Sequence, residues 1–544
     1  MSSHAPTDGR DGRTRLPRWV IAFSAAVMLS TCVPYAYHAA RAPGDRVFTW
    51  VLENLYDQNS YLMWAEQVRD GRLLAHNLMT TERQPPLLPS LPWLALGLLG
   101  RVIPVPLAYL YHLLRLAAGF FYLLLVYRLA QRFLKTEREC VYATVIVGIG
   151  AGAGGFVAAL NRLCAEPVLT SADWMPELWA YHSLLLLPHF ALSLLLIAAI
   201  ICLLLDAYAR PRWSRLFAAA LCFALLAHTH PYAAVVFGPV LVFHYLVCRL
   251  ARPEAWRGTW TNLAALLGVV PPAILLAWQS ATNPGPQSWA RTAVLSPPPL
   301  DYLLGFGIVL PLAVAGAVSL AKKGKLTAGG WLLIIWALVG LLLLYSYPTI
   351  PFERRLVEGL HLPLAMLAAV AISRWGVPAL TRRWARLSVR GASVLCIALL
   401  VALLLPTNLV LLANTMRAKA PTIPKDWMTA SRWIRQHTDE EVCVMTGPYV
   451  GNYLARYAQR RVYLGHWAMT VDFEAKFARW RRLCAPATTA PQRQRILAQS
   501  GCELLVADPD QREVLAQWPA LQEVLFTPEL SVYRLTPVGA AVRD

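Results

Sequence analysis

The stretch LLLLPHFALSLLLIAAIICLLL, residues 184–205, contains no charged side chain. A helix needs about 20 mostly apolar residues to cross the hydrocarbon core of a bilayer, so this stretch predicts a membrane span. Similar segments recur along the chain, at residues 19–38, 86–103, 106–131, 140–160, 184–205, 216–230, 232–250, 260–279, 300–320, 328–346, 361–374 and 392–413. We therefore predict a mainly α-helical, polytopic transmembrane bundle of about 11–13 spans.

The composition agrees with a membrane protein. The chain has 544 residues, of which 57% are hydrophobic and 15% charged, whereas a soluble protein is about 45–50% apolar and about 25% charged. The formal net charge is +19, but the basic residues form short clusters between apolar runs, as the positive-inside rule describes. We therefore predict membrane lipids, and no nucleic acid, as partners.

The basic clusters also predict the orientation, because Lys and Arg accumulate in cytoplasmic loops. Residues 1–18 are predicted to be a cytoplasmic N-terminal segment, 19–413 a transmembrane domain with its first outer loop at 39–85, and 414–544 an extracytoplasmic domain. Segments 86–103 and 106–131 must then make one net crossing together, so one of them is interfacial or re-entrant. The expected location is a bacterial inner (plasma) membrane, with multiple passes.

The C-terminal 414–544 segment differs in pattern from the rest. Helix-like and strand-like stretches alternate in it, as in KDWMTASRWIRQH, EVCVMT, FEAKFARWRRLC and CELLVAD, which predicts a small α/β domain. No Gly-rich phosphate loop follows a strand, so we expect an accessory lid rather than a second catalytic unit. Its most site-like stretch, YLGHWAMTVDFEAKF, offers His466, Thr470 and Asp472, which either contact an acceptor or cap the following helix. We favour the cap, with Thr470 as the N-cap.

The first outer loop contains the stretch YDQNSYLMWAEQVRDGRLLAHN, residues 56–77. At helical spacing Asp57, Tyr61 and Trp64 share one face, as in an interfacial helix with an aromatic side. Glu66 follows on the same segment. The alternative is that these acids are simply solvated.

A second loop, EPVLTSADWMPELWAYHS, supplies Asp173, Glu177 and His182. Two acidic loops on one face of a bundle are suited to bind a divalent cation, Mg or Mn, through Asp57 and Asp173, or to activate a hydroxyl nucleophile.

Histidines occur at the end of another predicted span, in AHTHPY. His228 and His230 lie there at membrane depth, where such residues are costly and often functional. The alternative is an interfacial pair without a role.

Arg354 and Arg355, in YPTIPFERRLVEGLHLPLAM, fall on the outer face against the charge rule. Their forked donors match phosphate or diphosphate oxygens, unless they pair with Glu353 and Glu358. Carboxylates and arginines together at a bilayer surface indicate a substrate that is both lipid and phosphate.

Several of these motifs together resemble the GT-C glycosyltransferases, and more closely a group of bacterial glycosyltransferase-like membrane proteins. They are DQNSYLMWAEQVRDGRLLAHNLMTTE, PHFALSLLL, HTHPY, FERRLVEGLHLPLA and GHWAMTVDFEAKF. Where related branches have Asp-Glu in the first loop, this chain has Asp57 and Gln58, which leaves metal use or the identity of the base open. A WWD-like motif, typical of the oligosaccharyltransferase branch, does not occur in the C-terminal region.

The resemblance implies inverting transfer of a sugar from a polyprenyl-phosphate donor to an envelope glycan, lipid or protein acceptor. Asp57 would be the general base, Asp173 or Glu177 would position the acceptor or share a cation, and Arg354 and Arg355 would hold the phosphate. The remaining substrate-binding candidates are Tyr61, Glu66, His182, His189, His228, His230 and His466.

The alternative is a non-enzymatic transporter or assembly scaffold for envelope lipids. A transporter would concentrate its functional polar residues near mid-membrane, whereas these lie at the outer ends of the predicted spans, which favours the enzyme.

Overall fold

The computed structural model describes residues 15–164, 167, 169–251, 257–322, 326–419, 421–515 and 521–535. Most of the predicted cytoplasmic segment 1–18, and the last nine residues of the predicted 414–544 domain, lie outside the described residues.

The described chain is mainly helical. Its α-helices are α1 Arg18–Ser30, α2 Val33–Arg41, α3 Leu55–Arg69, α4 Leu91–Val102, α5 Leu107–Phe133, α6 Glu137–Ile149, α7 Gly154–Asn161, α8 Ala180–Leu186, α9 Pro188–Ala209, α10 Trp213–Thr229, α11 Pro231–Ala251, α12 Thr261–Leu266, α13 Val270–Thr282, α14 Pro284–Arg291, α15 Pro299–Phe306, α16 Val309–Ala321, α17 Ala328–Leu343, α18 His361–Ala371, α19 Val377–Arg383, α20 Val389–Arg417, α21 Lys425–His437, α22 Pro448–Tyr457, α23 Phe473–Cys484, α24 Ala490–Ser500 and α25 Pro509–Leu515.

Seven helical segments of the described chain are long and apolar enough to cross a membrane, or nine if two bent pairs each count as one span. Three shorter apolar helices, α4, α10 and α17, accompany them. Each predicted apolar segment corresponds to one of these helices, bent pairs or short helices. The chain is thus a multi-pass membrane protein, and the prediction of a polytopic bundle is confirmed.

Helices α4 and α5, which correspond to the predicted segments 86–103 and 106–131, differ in length. The 12 residues of α4 extend about 18 Å, less than the roughly 30 Å hydrocarbon core, whereas the 27 residues of α5 extend about 40 Å. Helix α4 packs closely on α3: a Cβ on Gly97 would lie 2.4 Å from Cβ of Val68. Of α4 and α5, only α5 is long enough to cross the hydrocarbon core.

The two bent pairs meet at their breaks. Helices α6 and α7 form an angle of 46°, and α15 and α16 an angle of 81°. At the contact, the backbone N–H of Ala153 donates to the carbonyl of Leu304 at 2.7 Å, and a Cβ on Gly152 would lie 2.1 Å from the carbonyl oxygen of Gly305. The glycine-rich break of the first pair therefore allows close backbone contact with the second.

The strands are short and lie mostly in the C-terminal region. They are β1 Arg46–Phe48, β2 Thr422–Pro424, β3 Cys443–Met445, β4 Arg461–Val462, β5 Leu504–Ala507, β6 Leu521–Phe526 and β7 Ser531–Leu535. A five-stranded sheet has the order β4-β3-β5-β7-β6, parallel across β4, β3 and β5 and antiparallel at β7 and β6. Strands β1 and β2 pair antiparallel and join the first loop to the C-terminal region. The predicted α/β character of this region is confirmed.

Candidate active site

The site is built around Asp57, in the first turn of α3. Asn54 precedes the helix with a left-handed φ of 55°, and its Nδ2 donates to Oδ2 of Asp57 at 2.6 Å. A carboxylate in the first turn also interacts favourably with the positive end of the helix dipole. Local sequence therefore fixes one oxygen of Asp57.

The other oxygen of Asp57 contacts His466, from the C-terminal region. Nδ1 of His466 accepts a hydrogen bond from the backbone N–H of Ala468 at 3.0 Å, which assigns the ring proton of the neutral imidazole to Nε2. Nε2 then donates to Oδ1 of Asp57 at 2.6 Å. His466 is fully buried. It therefore orients the carboxylate of Asp57 through its Nε2–H.

Further contacts hold the C-terminal region against α3. Nη1 of Arg456 donates to Oδ1 of Asn59 at 2.9 Å, and Nδ2 of Asn59 donates to Oδ1 of Asn452 at 2.8 Å. The hydroxyl of Thr470 donates to the carbonyl of Met79 and accepts from the N–H of Gly465. These bonds fix the loop that carries His466.

Thr470 is thus not an N-cap, and that preference was wrong. The N-cap of α23 is Asp472, with a φ of 52°. Thr470 is instead buried and used for docking, because its hydroxyl bridges the first loop and the C-terminal region.

Tyr61 follows Asp57 by one helical turn and faces the same side, as predicted. Its ring stacks on Trp93 with centroids 4.5 Å apart and contacts His189 edge-on at 5.4 Å. Burial, and next the negative charge of Asp57, raise the pKa of Tyr61 well above its usual range, while the guanidinium of Arg355 opposes the shift. Tyr61 therefore stays a neutral phenol, with Asp57 and Arg355 both within electrostatic range.

Arg355 is the basic member of the cluster. Its Nη1 donates to the hydroxyl of Tyr232 at 2.7 Å, and its guanidinium lies 4.8 Å from the centroid of that ring. The carboxylate of Glu177 also acts electrostatically on Tyr61. Asp57, Tyr61, Glu177 and Arg355 thus belong to one electrostatic neighbourhood.

The acids next to Arg355 in sequence have other partners. Glu353 accepts backbone hydrogen bonds from Ser296 and Tyr347, and Glu358 pairs with Nδ1 of His230. The proposed alternative, pairing of the arginines with Glu353 and Glu358, is not formed among the described residues. The charge of Arg355 thus remains available to a ligand.

Polar atoms around this cluster lack partners. Oε2 of Glu177, Nδ1 of His189 and Nε of Arg354 are buried without a hydrogen-bond partner among the described residues. An unsatisfied buried polar group costs about 1–3 kcal/mol, and such groups at one site are typical of a place where a ligand or ordered water binds.

Other predicted site residues make separate contacts. The guanidinium of Arg354 lies 5.0 Å from the ring centroid of Trp174, so the adjacent arginines point to different aromatic neighbours. His228 is partly buried, whereas His230 is buried with its ring 5.9 Å from that of His189. His189 and His230 therefore belong to the cluster around Tyr61. Arg354 contacts a different aromatic ring, and His228 is only partly buried.

Asp173 is engaged by the break between α6 and α7. Its Oδ1 accepts from the N–H of Gly152 at 2.6 Å, and its Oδ2 accepts from the N–H of Gly154 at 2.9 Å and from the hydroxyl of Ser171 at 2.6 Å. Burial raises the pKa of Asp173 to about 6, although these hydrogen bonds oppose the shift. His182 binds the backbone carbonyl of Asp173 through Nδ1.

Glu66 lies near the other end of α3, where it pairs with Arg69. Burial raises the pKa of Glu66, and Arg69 and Arg456 oppose the shift. Nine positions separate Glu66 from Asp57, which is about 14 Å along a helix.

The donor set does not fit the predicted divalent cation. The contacts of Asp57 and Asp173 do not overlap, since one binds Asn54 and His466 and the other binds backbone amides. No group of three or more His, Cys, Asp or Glu side chains suited to a metal occurs among the described residues. No step of the chemistry proposed below passes through a metal.

Sequence reasoning missed the supporting residues. Trp93 and Tyr232 provide the aromatic walls for Tyr61 and Arg355, and Asn54 holds Asp57. Tyr232 lies in the motif AHTHPY, and Asn54 lies three residues before Asp57. Both could therefore have been found by including the neighbours of the motif residues.

No protein-family model and no curated protein matches the sequence. Solved structures do match. The archaeal oligosaccharyltransferase AglB from Archaeoglobus fulgidus, in complex with an inhibitory peptide and a dolichol-phosphate, is 13% identical with a TM-score of 0.55, covering 96% of this chain and 75% of that one. ArnT from Cupriavidus metallidurans, bound to undecaprenyl phosphate, is 14% identical with a TM-score of 0.54, and the match covers 95% of this chain and 98% of that one.

Both neighbours are GT-C glycosyltransferases. This chain has a GT-C-like fold. Another structure of the Archaeoglobus fulgidus oligosaccharyltransferase, a complex with Zn and sulfate, has a TM-score of 0.52 at 14% identity and covers 90% of this chain and 68% of that one. At these identities the likeness shows the fold, and the chemistry has to be argued from the site.

Proposed function

We propose that this protein is a membrane glycosyltransferase that transfers a sugar from a polyprenyl-phosphate donor to an acceptor hydroxyl, with inversion, at the outer face of a bacterial inner membrane. The observation that supports it most is the convergence of Asp57 and Tyr61, both on α3, with Arg355 from a distant part of the chain, among buried polar atoms without partners. The GT-C-like fold, with neighbours solved with dolichol-phosphate and undecaprenyl phosphate, supports the donor class.

Asp57 is the general base in this proposal. The acceptor hydroxyl donates its proton to Asp57 while its oxygen forms a bond to the anomeric carbon, and the bond from that carbon to the phosphate oxygen breaks. The polyprenyl phosphate leaves with the bonding electron pair. Asn54 and His466 bind one carboxylate oxygen each, so the base is held in one orientation as the reaction begins.

Arg355 stabilises the leaving phosphate. Only one of its donors is used by Tyr232, and a guanidinium presents a planar fork that matches phosphate oxygens. Its positive charge compensates the charge that develops on the phosphate as the glycosidic bond breaks. Glu177 is proposed to position the acceptor, and Asp173 to maintain the break between α6 and α7.

The experiment is turnover by the purified full-length protein in nanodiscs with a panel of polyprenyl-phosphate sugars. Release of polyprenyl phosphate that depends on both an acceptor and Asp57 supports the proposal. A protein that binds these lipids but releases no polyprenyl phosphate with any of them would contradict it and favour the transporter or scaffold alternative.

A further inference from the structure

A cavity of about 760 Å³ lies beside α3, on the side away from Asp57. It is bounded by the C-terminal end of α3, the turn between α4 and α5, and helices α21 and α22. Neither Asp57 nor His466 lines it. Ligand pockets for small molecules have volumes of about 300–1,000 Å³, so the cavity is large enough for a lipid headgroup.

One wall of the cavity is basic. Its charged lining consists of Arg69, Arg432, Arg435 and Arg456 against the single acid Glu66. Arg69 pairs with Glu66. The wall therefore carries an excess of positive charge toward the cavity.

Arg456 is the buried member of this wall, only 3% exposed. Its Nη1 donates to Asn59 at 2.9 Å, and its guanidinium lies over the ring of Tyr457. Its Nε has no hydrogen-bond partner among the described residues. That nitrogen is inaccessible to solvent and does not itself face the cavity, but the residue lines the cavity and adds a buried positive charge to this wall.

Two further arginines lie on α21. Arg432 is exposed and makes no hydrogen bond or ion pair with the described residues. Arg435 donates to Asp70 at 2.6 Å, and Asp70 does not line the cavity. Arg432 therefore supplies positive charge without an ionic partner, and Arg456, which also acts electrostatically on Glu66, adds to it.

Another part of the lining is apolar and lies where the long apolar helix α5 begins. It is formed by the turn Pro104 to Pro106 and by Tyr109, in the first turn of α5. Val102, two residues before Pro104, is 81% exposed. Trp50 packs edge-on against Tyr109, with ring centroids 5.2 Å apart, as aromatic residues do at membrane interfaces.

A cavity lined both by basic side chains and by an apolar turn at the start of a membrane helix has the amphipathic character of a lipid. We propose that it binds a glycerophospholipid with a net negative headgroup, with the phosphate held by Arg432 and Arg456 and the glycerol backbone against Pro104 to Pro106. The site is separate from the sugar-transfer site, so it stands or fails independently of the proposed function. Its occupant ties the C-terminal region to the membrane surface.

The test uses the full-length protein in detergent, titrated with phosphatidylglycerol, phosphatidylcholine or glycerol phosphate, with bound lipid counted by native mass spectrometry. We expect phosphatidylglycerol to bind at least about tenfold more tightly than phosphatidylcholine. Arg432→Ala, at an exposed position that leaves the fold intact, should weaken phosphatidylglycerol about fivefold, since one arginine near an anionic lipid contributes on that scale. Arg456→Lys should weaken it as well.

The control is Arg481→Ala, which removes the same charge from an exposed position on α23 outside the cavity, and it should bind like wild type. Equal binding by wild type and Arg432→Ala would overturn the site. Equal binding of phosphatidylcholine would overturn its preference for an anionic headgroup. Glycerol phosphate binding as tightly as phosphatidylglycerol would show a free phosphate ester to be the ligand, and would overturn the lipid assignment.

Discussion

Nε2 of His466 donates a hydrogen bond of 2.6 Å to Oδ1 of Asp57, across 409 positions of sequence. The donor comes from the C-terminal region and the acceptor from the first turn of α3, so two distant parts of the chain hold one carboxylate. The C-terminal region thus reaches the proposed base directly, which is a closer involvement than an accessory lid requires.

His466 is predicted to act as a positioning residue. Replacing it with Ala removes the Nε2–H donor and leaves Oδ1 of Asp57 free to rotate, so kcat should fall roughly 100-fold with little change in KM. Gln at this position offers an amide N–H in place of the imidazole N–H and should restore part of kcat. Steady-state kinetics of the three proteins measure this.

His437→Ala is the matched control, because His437 is exposed on α21 and its hydrogen bond to the carbonyl of Trp433 and its stacking on the Trp433 ring both stay within its own helix. It should turn over like wild type. Thermal unfolding checks that both variants remain folded. If His466→Gln is then as slow as His466→Ala, the hydrogen bond from His466 to Asp57 does not account for the loss of turnover.

Arg355 is predicted to bind the donor phosphate. Lys keeps the charge but loses the planar fork, and Ala removes both, so affinity for polyprenyl phosphate should decrease from wild type to Arg355→Lys to Arg355→Ala. The expected total loss is about 10- to 100-fold, since hydrogen bonds to charged groups contribute about 1.5–3 kcal/mol. Titration of protein in nanodiscs with polyprenyl phosphate gives the ranking.

Arg354 offers a comparison at the adjacent position. Its guanidinium lies over Trp174 rather than Tyr232, so Arg354→Lys should weaken phosphate binding less than Arg355→Lys does. Identical affinities for wild type and Arg355→Ala would rule out the phosphate contact.

Asp173 is predicted to make stability depend on pH. Its pKa is raised to about 6 in the folded protein, above the ordinary value near 4, so the folded state holds the proton more tightly than the unfolded state does. Stability from this group is therefore complete at low pH and decreases as pH rises from about 4 to about 6, by up to about 3 kcal/mol.

Asn at position 173 does not titrate, so the Asp173→Asn protein should lack this part of the pH dependence of stability. It should also be less stable than wild type at every pH, because an amide cannot accept hydrogen bonds from Gly152, Gly154 and Ser171 together. Thermal unfolding from pH 4 to pH 7 compares the two proteins. Parallel curves for wild type and variant would show that Asp173 does not titrate in this range.

The membrane bundle was predictable because a span is a local signal. A run such as 184–205 is apolar over the thickness of a bilayer wherever the rest of the chain lies, and α9 occupies Pro188–Ala209. The face shared by Asp57 and Tyr61 was predictable for the same reason, since helical periodicity is local.

The contacts between distant segments were not predictable. Nothing near His466 in sequence indicates that its ring meets Asp57, and Thr470 looked like an N-cap because that signal is local while its real partner, Met79, is 391 positions away. The backbone amides of Gly152 and Gly154 that bind Asp173 were likewise not predictable, because a lone acid in a loop does not reveal its partners.

The most direct test is turnover by Asp57→Asn, because the substitution keeps the shape and removes the base. The measurement is release of polyprenyl phosphate in nanodiscs, alongside binding of polyprenyl phosphate and thermal unfolding of the same preparation. We predict that turnover falls about 10²- to 10⁴-fold, as expected for the loss of a general base, while binding and stability stay close to wild type. Turnover that persists at the wild-type rate in a folded Asp57→Asn protein would contradict the assignment of Asp57 as the base.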